Sequence, residues 1–366
     1  MLYHRGEKGI IMNVITGILL LLALAGFIDA AAGNRLGIGS EIKAALESMG
    51  TLALYIVGMY SVIMSLTESG VLRPDLFPAW LDLPMIIGSL LPPDLGAFPL
   101  CTGFSANEMD GFFTGVIVSS CLGQFVGYQL PVVLSLFEEG QKPFIVRGYI
   151  LGILPIPAGL LCGGLIMGIP VLRLFSYTGI IILICLCLAL CFWKKTELTQ
   201  RVFLILGTVI KLAAQAMFLV AVASLFFPKL GWLPQQTILF SLSLVLQMTI
   251  IVAGGLVLSK LLLRLCAGPM EKIGRALGTD RSGTVAVLLH AVSSIIVAAQ
   301  GRDIEKNGLV ISSAFAVSGA YMLGGQMAFI ALLVPVRVLL SYFAAKLVCG
   351  AASVFLACFF NRKHDR

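Results

Sequence analysis

Long apolar runs follow one another along almost the whole chain, with only short polar segments between them. They lie at roughly 10–32, 48–66, 83–100, 111–136, 147–169, 171–193, 202–227, 237–262, 284–299, 308–334 and 338–360. A helix needs about 20 mostly apolar residues to cross the hydrocarbon of a bilayer, and most of these runs reach that length. The pattern predicts an all-α integral membrane protein of ten or eleven hydrophobic helices, forming one polytopic domain over residues 1–366. The first run is too long for the apolar core of a signal peptide and reads as an uncleaved first span.

Two runs depart from the simple pattern. The third carries Pro92-Pro93-Asp94-Leu95-Gly96 near its middle and Pro99 near its end, and the ninth is short and carries His290, Ser293 and Ser294. Proline removes a helix hydrogen bond, and irregular backbone at membrane depth survives only when buried in protein or lining a cavity. Both runs are therefore expected to be broken or re-entrant helices. They also head an internal repeat. Gly111, Gly127 and Gln129 recur as Gly308, Gly324 and Gln326 at a common offset of 197 residues, and Ser48 to Leu66 resembles Leu242 to Lys260. The repeat-like halves span about 44–136 and 237–334. Paired interrupted segments in two halves of a membrane protein point to a transporter's binding site.

Composition sharpens the membrane reading. Of 366 residues, 59% are hydrophobic and only 12% charged, which leaves too little polar surface to cover a soluble core. The net charge is +7, but its carriers sit in short loops, as Lys194, Lys195 and Arg201 and then Lys260, Arg264, Lys272, Arg275 and Arg281. Short basic loops are retained in the cytoplasm, so this charge does not call for nucleic acid. Arg5 and Lys8 near the start and Arg362, Lys363 and Arg366 in the tail place both termini on the same side. Parity is satisfied if the ninth stretch is re-entrant, and the two halves are then inverted. The nine cysteines form no CxxC pair and read as small buried hydrophobes.

Few residues can carry chemistry. Asp94 is a lone carboxylate in an apolar break, where an ion costs at least ~2.5–3.5 kcal/mol to place. It reads either as an ion or ammonium site or as the cap of a half-helix starting near Leu95. Gln129 and Gln326 occupy matching repeat positions and either bind a solute or tie helices together. Ser293 and Ser294 can face a site or bond back to their own helix. His290 reads as a satisfied buried histidine, Asp29 as a marker of the interface, and Glu108 and Asp110 as a solvated turn. The proposed substrate-binding set is Asp94, Gln129, Ser293, Ser294 and Gln326. Three histidines without HExxH, and no Walker A or GxSxG motif, leave a self-contained ATP-driven pump without its parts, and an intramembrane enzyme open only through Asp94 and His290.

Several blocks resemble the ethanolamine utilisation permease family, EutH, over about Met12 to Phe360. They are Met49-Gly50; Asp94 to Phe98; Tyr149 to Gly159 with Gly163 to Ile166; Gly274 to Gly278; and Ser313 to Ser318. The resemblance implies a ten- or eleven-span permease that admits ethanolamine, and Asp29 and Asp94 fall where the family also has aspartate. The chain departs at Ser293 to Val297, where the family reads Asn-Asn-Ile-Pro-Met, and at Gly325-Gln326, where it reads Asp-His.

The expected function is uptake of a small polar amine, ethanolamine first, across a bacterial inner membrane. Asp94 would hold the ammonium, with Tyr128, Tyr321 and Phe329 adding cation–π contact. Alternatives are transport of another small amine or a nucleoside-like solute, or a non-transporting scaffold or sensor. The expected partners are the amine and the lipid bilayer, with homo-oligomers open and no nucleic acid. No cofactor is expected, and the coupling ion is left open.

Overall fold

The computed structural model describes residues 14–71, 82–230, 232–265, 272, 274–299, 301 and 304–364. Arg5, Lys8, Cys266, Gln300 and Arg366 lie outside them. Among the described residues all regular structure is helical. The helices are α1 (Val14–Ala31), α2 (Gly39–Glu68), α3 (Leu83–Leu90), α4 (Ala97–Phe104), α5 (Glu108–Leu136), α6 (Lys142–Ile153), α7 (Ile156–Met167) and α8 (Val171–Lys194). After them come α9 (Thr196–Phe226), α10 (Gln235–Leu265), α11 (Arg281–Val292), α12 (Ser294–Ala299), α13 (Lys306–Ala316), α14 (Gly325–Leu333) and α15 (Val336–His364).

Four stretches, Glu108–Leu136, Val171–Cys191, Gln235–Leu258 and Val336–Asn361, are long and apolar enough to cross a membrane as single helices. Two bent pairs raise the number to six: α2 turns by 46° between Gly39–Glu47 and Leu52–Leu66, and α6 meets α7 at 43°. Within the described residues the remaining apolar runs are helical too, but shorter or interrupted. The first and seventh contain the short apolar helices Gly17–Ala31 and Lys211–Phe226. The third divides into α3 and α4 and the ninth into α11 and α12, as their prolines and polar residues predict. The tenth, which the sequence presents as a plain small-residue helix, is also interrupted: backbone 317–324 unwinds between α13 and α14.

The packing is swapped between halves. α1 lies on α10 and α9 lies on α2, while α2 and α10 pack on each other. α3 packs on α5, as α11 packs on α13. The turn after α3 touches α14, and α12, just after the break that follows α11, touches the second part of α5. Each break therefore rests on the other half. The starts of the two broken hairpins are fixed alike: the Asp82 carboxylate accepts the Met85 N–H at 3.1 Å, and the Asp280 carboxylate accepts the Gly283 N–H at 2.9 Å. Aspartate at this position satisfies a donor that a helix start would leave free.

Of the glycines at the 197-residue offset, Gly127 and Gly324 have one job in both halves. A Cβ on Gly127 would lie 2.6 Å from Leu90 O, and a Cβ on Gly324 would lie 2.0 Å from Val292 O. In each case the main chain of a glycine, within α5 or just before α14, seats the carbonyl end of a broken neighbour, a spacing only glycine permits.

α5 is wider than an α-helix. From Phe113 to Val133 its hydrogen bonds run i→i+5, as in Gln124 N–H to Ser119 O and Leu134 N–H to Gln129 O. Its interior position is nearly complete: Val116, Ile117, Val118, Cys121, Leu122 and Phe125 are all buried. α8 stands at the other extreme, with Leu172, Phe175 and Leu183 exposed. Such a surface suits lipid and would be costly in water.

Candidate functional site

Asp94 sits in a tight turn, Pro93–Leu95, between α3 and α4. Pro92 O accepts both the Leu95 and the Ala97 N–H at 3.2 Å, and Gly96 takes the left-handed conformation at φ 105°. α4 begins at Ala97 with Gly96 at its cap and no capping side chain. Asp94 is thus not engaged as the cap of α4, and its Oδ1 is buried without a hydrogen-bond partner. A buried acceptor in that state costs about 1–3 kcal/mol, and more when charged, so it asks for a partner from outside the fold.

Three aromatic rings and one cation surround this end of the break. Tyr128, Tyr342 and Lys346 lie close enough to feel the charge of Asp94. The Tyr128 ring meets the Tyr321 ring edge-on, with centroids 5.8 Å apart at 77°. Tyr321 has φ 59°, a backbone conformation that side-chain-bearing residues rarely hold, and its hydroxyl is buried without a partner. Strain of this kind persists only where the surroundings enforce it.

The surroundings are the unwound backbone 317–324. The Tyr321 and Leu323 N–H groups donate to His290 O at 2.9 Å and Ala291 O at 2.7 Å, the carbonyls that the end of α11 leaves free. The carbonyls released by the unwinding are taken by α15. Lys346 Nζ donates to Ser318 O at 3.1 Å and Ala320 O at 2.6 Å, and Tyr342 Oη donates to Tyr321 O at 3.0 Å. Lys346 is fully buried and its Nζ stands 5.3 Å from the centre of the Tyr342 ring.

The remaining site residues are placed as follows. Ser294 is buried, and its hydroxyl pairs with His290 Nδ1 at 2.8 Å, leaving His290 Nε2 without a partner. Tyr321 reaches the vicinity of Ser294, so Asp94, Tyr128, Tyr321 and Ser294 follow one another through neighbouring parts of the fold. Ser293 ends α11 in extended conformation, with its N–H on Leu289 O at 2.7 Å. Gln129 Oε1 accepts from Gln124 Nε2 at 3.1 Å, while Gln129 Nε2 and the nearby Tyr149 Oη stay unpaired. Gln326 is buried on α14, its Oε1 unpaired. Phe329 packs edge-on against Phe98 at 5.9 Å and belongs to the core between α14 and α4.

Two acidic groups have other tasks. Asp29 accepts the N–H groups of Leu36, Ile38 and Gly39 at 2.7, 2.9 and 2.9 Å and holds the turn from α1 into α2. Asp110 is buried and paired with Arg173 at 2.8 Å, so the turn at Glu108 and Asp110 is tied to α8. A cavity of about 840 Å³ opens elsewhere, beside Val287, Phe315, Leu347 and Val354, and its lining is apolar.

Sequence reasoning missed Lys346 and Tyr342. Lys346 carried the same signal that marked Asp94: a lone charge in the middle of an apolar run, here 338–360.

The profile of the ethanolamine utilisation protein family, EutH, matches residues 11–360. A probable ethanolamine permease EutH of Listeria monocytogenes is 28% identical over 88% of this chain and 87% of its own length. The probable ethanolamine permease EutH of Escherichia coli is 23% identical over 98% of this chain and 97% of its own. An uncharacterised protein of Bacillus subtilis, YxeR, is 25% identical over 87% of each. No solved structure matches the chain.

Proposed function

The chain belongs to the ethanolamine utilisation protein family, EutH, and on that premise we propose that it is a permease admitting ethanolamine through the bacterial inner membrane. The observation that carries the reading is the buried, unpaired Oδ1 of Asp94 in a helix break ringed by tyrosines. Ethanolamine is mainly a cation at neutral pH. Its ammonium would bond to Asp94 and face the Tyr128 and Tyr321 rings, which attract cations through their negative faces. Its hydroxyl would reach the polar groups beyond Tyr321, where Ser294 and Gln326 supply donors and acceptors. Ser293 and Gln129 would line the approach from the second break and from α5. No bond in the solute changes, so these residues bind and release rather than catalyse.

The swapped packing supports two inverted halves within a bundle of ten or eleven hydrophobic helices, counting the interrupted ones. Each broken hairpin leans on the opposite half, which is the arrangement that lets one half rock against the other around a central site.

Uptake of labelled ethanolamine into liposomes containing the purified protein tests the proposal. A charge-assisted bond is worth ~1.5–3 kcal/mol, so Asp94→Asn should lower affinity roughly ten- to hundredfold while the protein still inserts and elutes as wild type. Wild-type liposomes that take up no ethanolamine would overturn the substrate, and unchanged uptake by Asp94→Asn would overturn the site.

A further inference from the structure

The unwound backbone 317–324 directs carbonyls at one place. Ser318 O and Ala320 O converge on a single point, and that point is occupied by Lys346 Nζ, at 3.1 and 2.6 Å. The face of the Tyr342 ring closes another side at 5.3 Å, and the charge of Asp94 acts on the ammonium without a direct ion pair among the described residues. Unwound main-chain carbonyls in broken helices are the groups with which transporters of this general architecture coordinate small monovalent cations. An ammonium is itself a compact, strongly hydrated point charge. Here it arrives on a stem that α15 anchors, with no lipid-facing route out, since Lys346 is wholly enclosed.

We propose that the Lys346 ammonium is a tethered cation permanently occupying a monovalent-cation site formed by the carbonyls of Ser318 and Ala320, so that solute uptake proceeds without sodium. This rests on the permease reading and extends it to coupling. Sodium-coupled transport requires an ion that enters, binds and leaves with the solute. A site filled by a covalently attached charge cannot exchange, yet it still supplies the positive charge that holds the unwound segment together and balances Asp94. The ordinary alternative is a strut: a lysine that ties α15 to irregular backbone and whose removal merely weakens the fold. The two differ in what happens when the ammonium is taken away. A vacated carbonyl site accepts sodium, whereas a lost strut is indifferent to it.

Lys346→Ala removes the ammonium and leaves the carbonyls. Thermal unfolding of wild type and variant in detergent is compared in sodium chloride and in N-methyl-D-glucamine chloride at equal ionic strength. Wild type should melt at the same temperature in both. The variant should melt lower in the organic salt and regain about 2–4 °C in sodium chloride, the gain expected when a ligand binds only the folded state. In liposomes, wild-type ethanolamine uptake should be equal in the two salts, and Lys346→Ala uptake should become at least about fivefold faster with sodium, in line with a ligand that restores the competent state. A folded variant with no sodium-dependent shift in melting overturns the cation site, and wild-type uptake that needs sodium overturns the tethered-cation role. If Lys346→Ala does not fold, Lys346→Ser is judged by the same shift; if neither folds in either salt, the salt dependence of wild-type uptake decides. Liposomes that take up no ethanolamine at all would defeat the permease reading, while the melting shift would still decide the carbonyl site.

Discussion

In the first half of the molecule α3 ends beside a helix that stays wound, whereas in the second half α11 ends beside one that has come apart. The contrast shows where the protein closes its own backbone and where it leaves a group over. At the second break the free carbonyls of His290 and Ala291 take the amides of Tyr321 and Leu323, and the carbonyls so released take Lys346 and Tyr342. At the first break α5 offers no free amides, since its own hydrogen bonds run on from Phe113 to Val133. There the turn closes on Pro92 O, and the Asp94 carboxylate keeps an oxygen unpaired. The backbone of the second break is thus a frame satisfied within the protein, and the first break presents a charged group that a solute can satisfy.

The sharpest way to break the comparison is to disturb the glycines that seat the two ends. Alanine at Gly324 would put its Cβ 2.0 Å from Val292 O, and alanine at Gly127 would put its Cβ 2.6 Å from Leu90 O. Both neighbours are main chain and cannot rotate away. Overpacking costs about 1–3 kcal/mol and sometimes more. Gly324→Ala should fall at or above the upper end and Gly127→Ala nearer the middle, read as loss of monodisperse protein and a lower melting temperature. Equal melting of Gly324→Ala and wild type would show that the second break is not a rigid seat.

A smaller effect separates frame from site. Ser294→Ala removes the partner of His290 Nδ1, leaving both ring nitrogens of a buried histidine without one. An unsatisfied buried polar group costs about 1–3 kcal/mol, so the variant should melt lower. Asp94→Asn should show the opposite profile, since it removes a carboxylate oxygen that nothing in the fold pairs: melting held, uptake reduced. If Ser294→Ala melts as wild type and Asp94→Asn is the less stable of the two, the assignment of frame and site is reversed.

Much of this arrangement was readable from the chain. Pro92 and Pro93 announced the first break, and the 197-residue offset picked out Gly127 and Gly324, which do the same packing job. The task of Asp29, holding a turn with three N–H bonds, was not read from the chain. The unwinding of 317–324 was not readable, because Ser318-Gly319-Ala320 contains no proline and makes an acceptable small-residue helix. Its cause is tertiary: the end of α11 captures the amides. The i→i+5 bonding of α5 has no local signature either. Lys346 was legible in principle, since a lone lysine inside an apolar run is costly, but its role depends on carbonyls that appear only once the segment opposite has unwound.

The smallest predicted effect tests what the halves share. Asp82 and Asp280 cap α3 and α11 in the same way, each accepting the N–H three residues ahead. Asp280 also holds Ser282 and Thr279, whereas no second side-chain partner of Asp82 is seen among the described residues. Replacing a capping aspartate by alanine costs about 0.5–2 kcal/mol. Each single variant should therefore lower melting by roughly 2–4 °C per kcal/mol, with Asp280→Ala the more costly because three groups lose their acceptor. Neither aspartate is one of the proposed binding residues, so the affinity for ethanolamine should stay within about twofold of wild type, as for sites that do not share partners. The double variant should show the sum of the two melting losses if the hairpins are independently capped. A loss well beyond that sum, measured as a coupling in the double-mutant cycle, would mean that the two broken hairpins support each other directly and that frame and site are one cooperative unit.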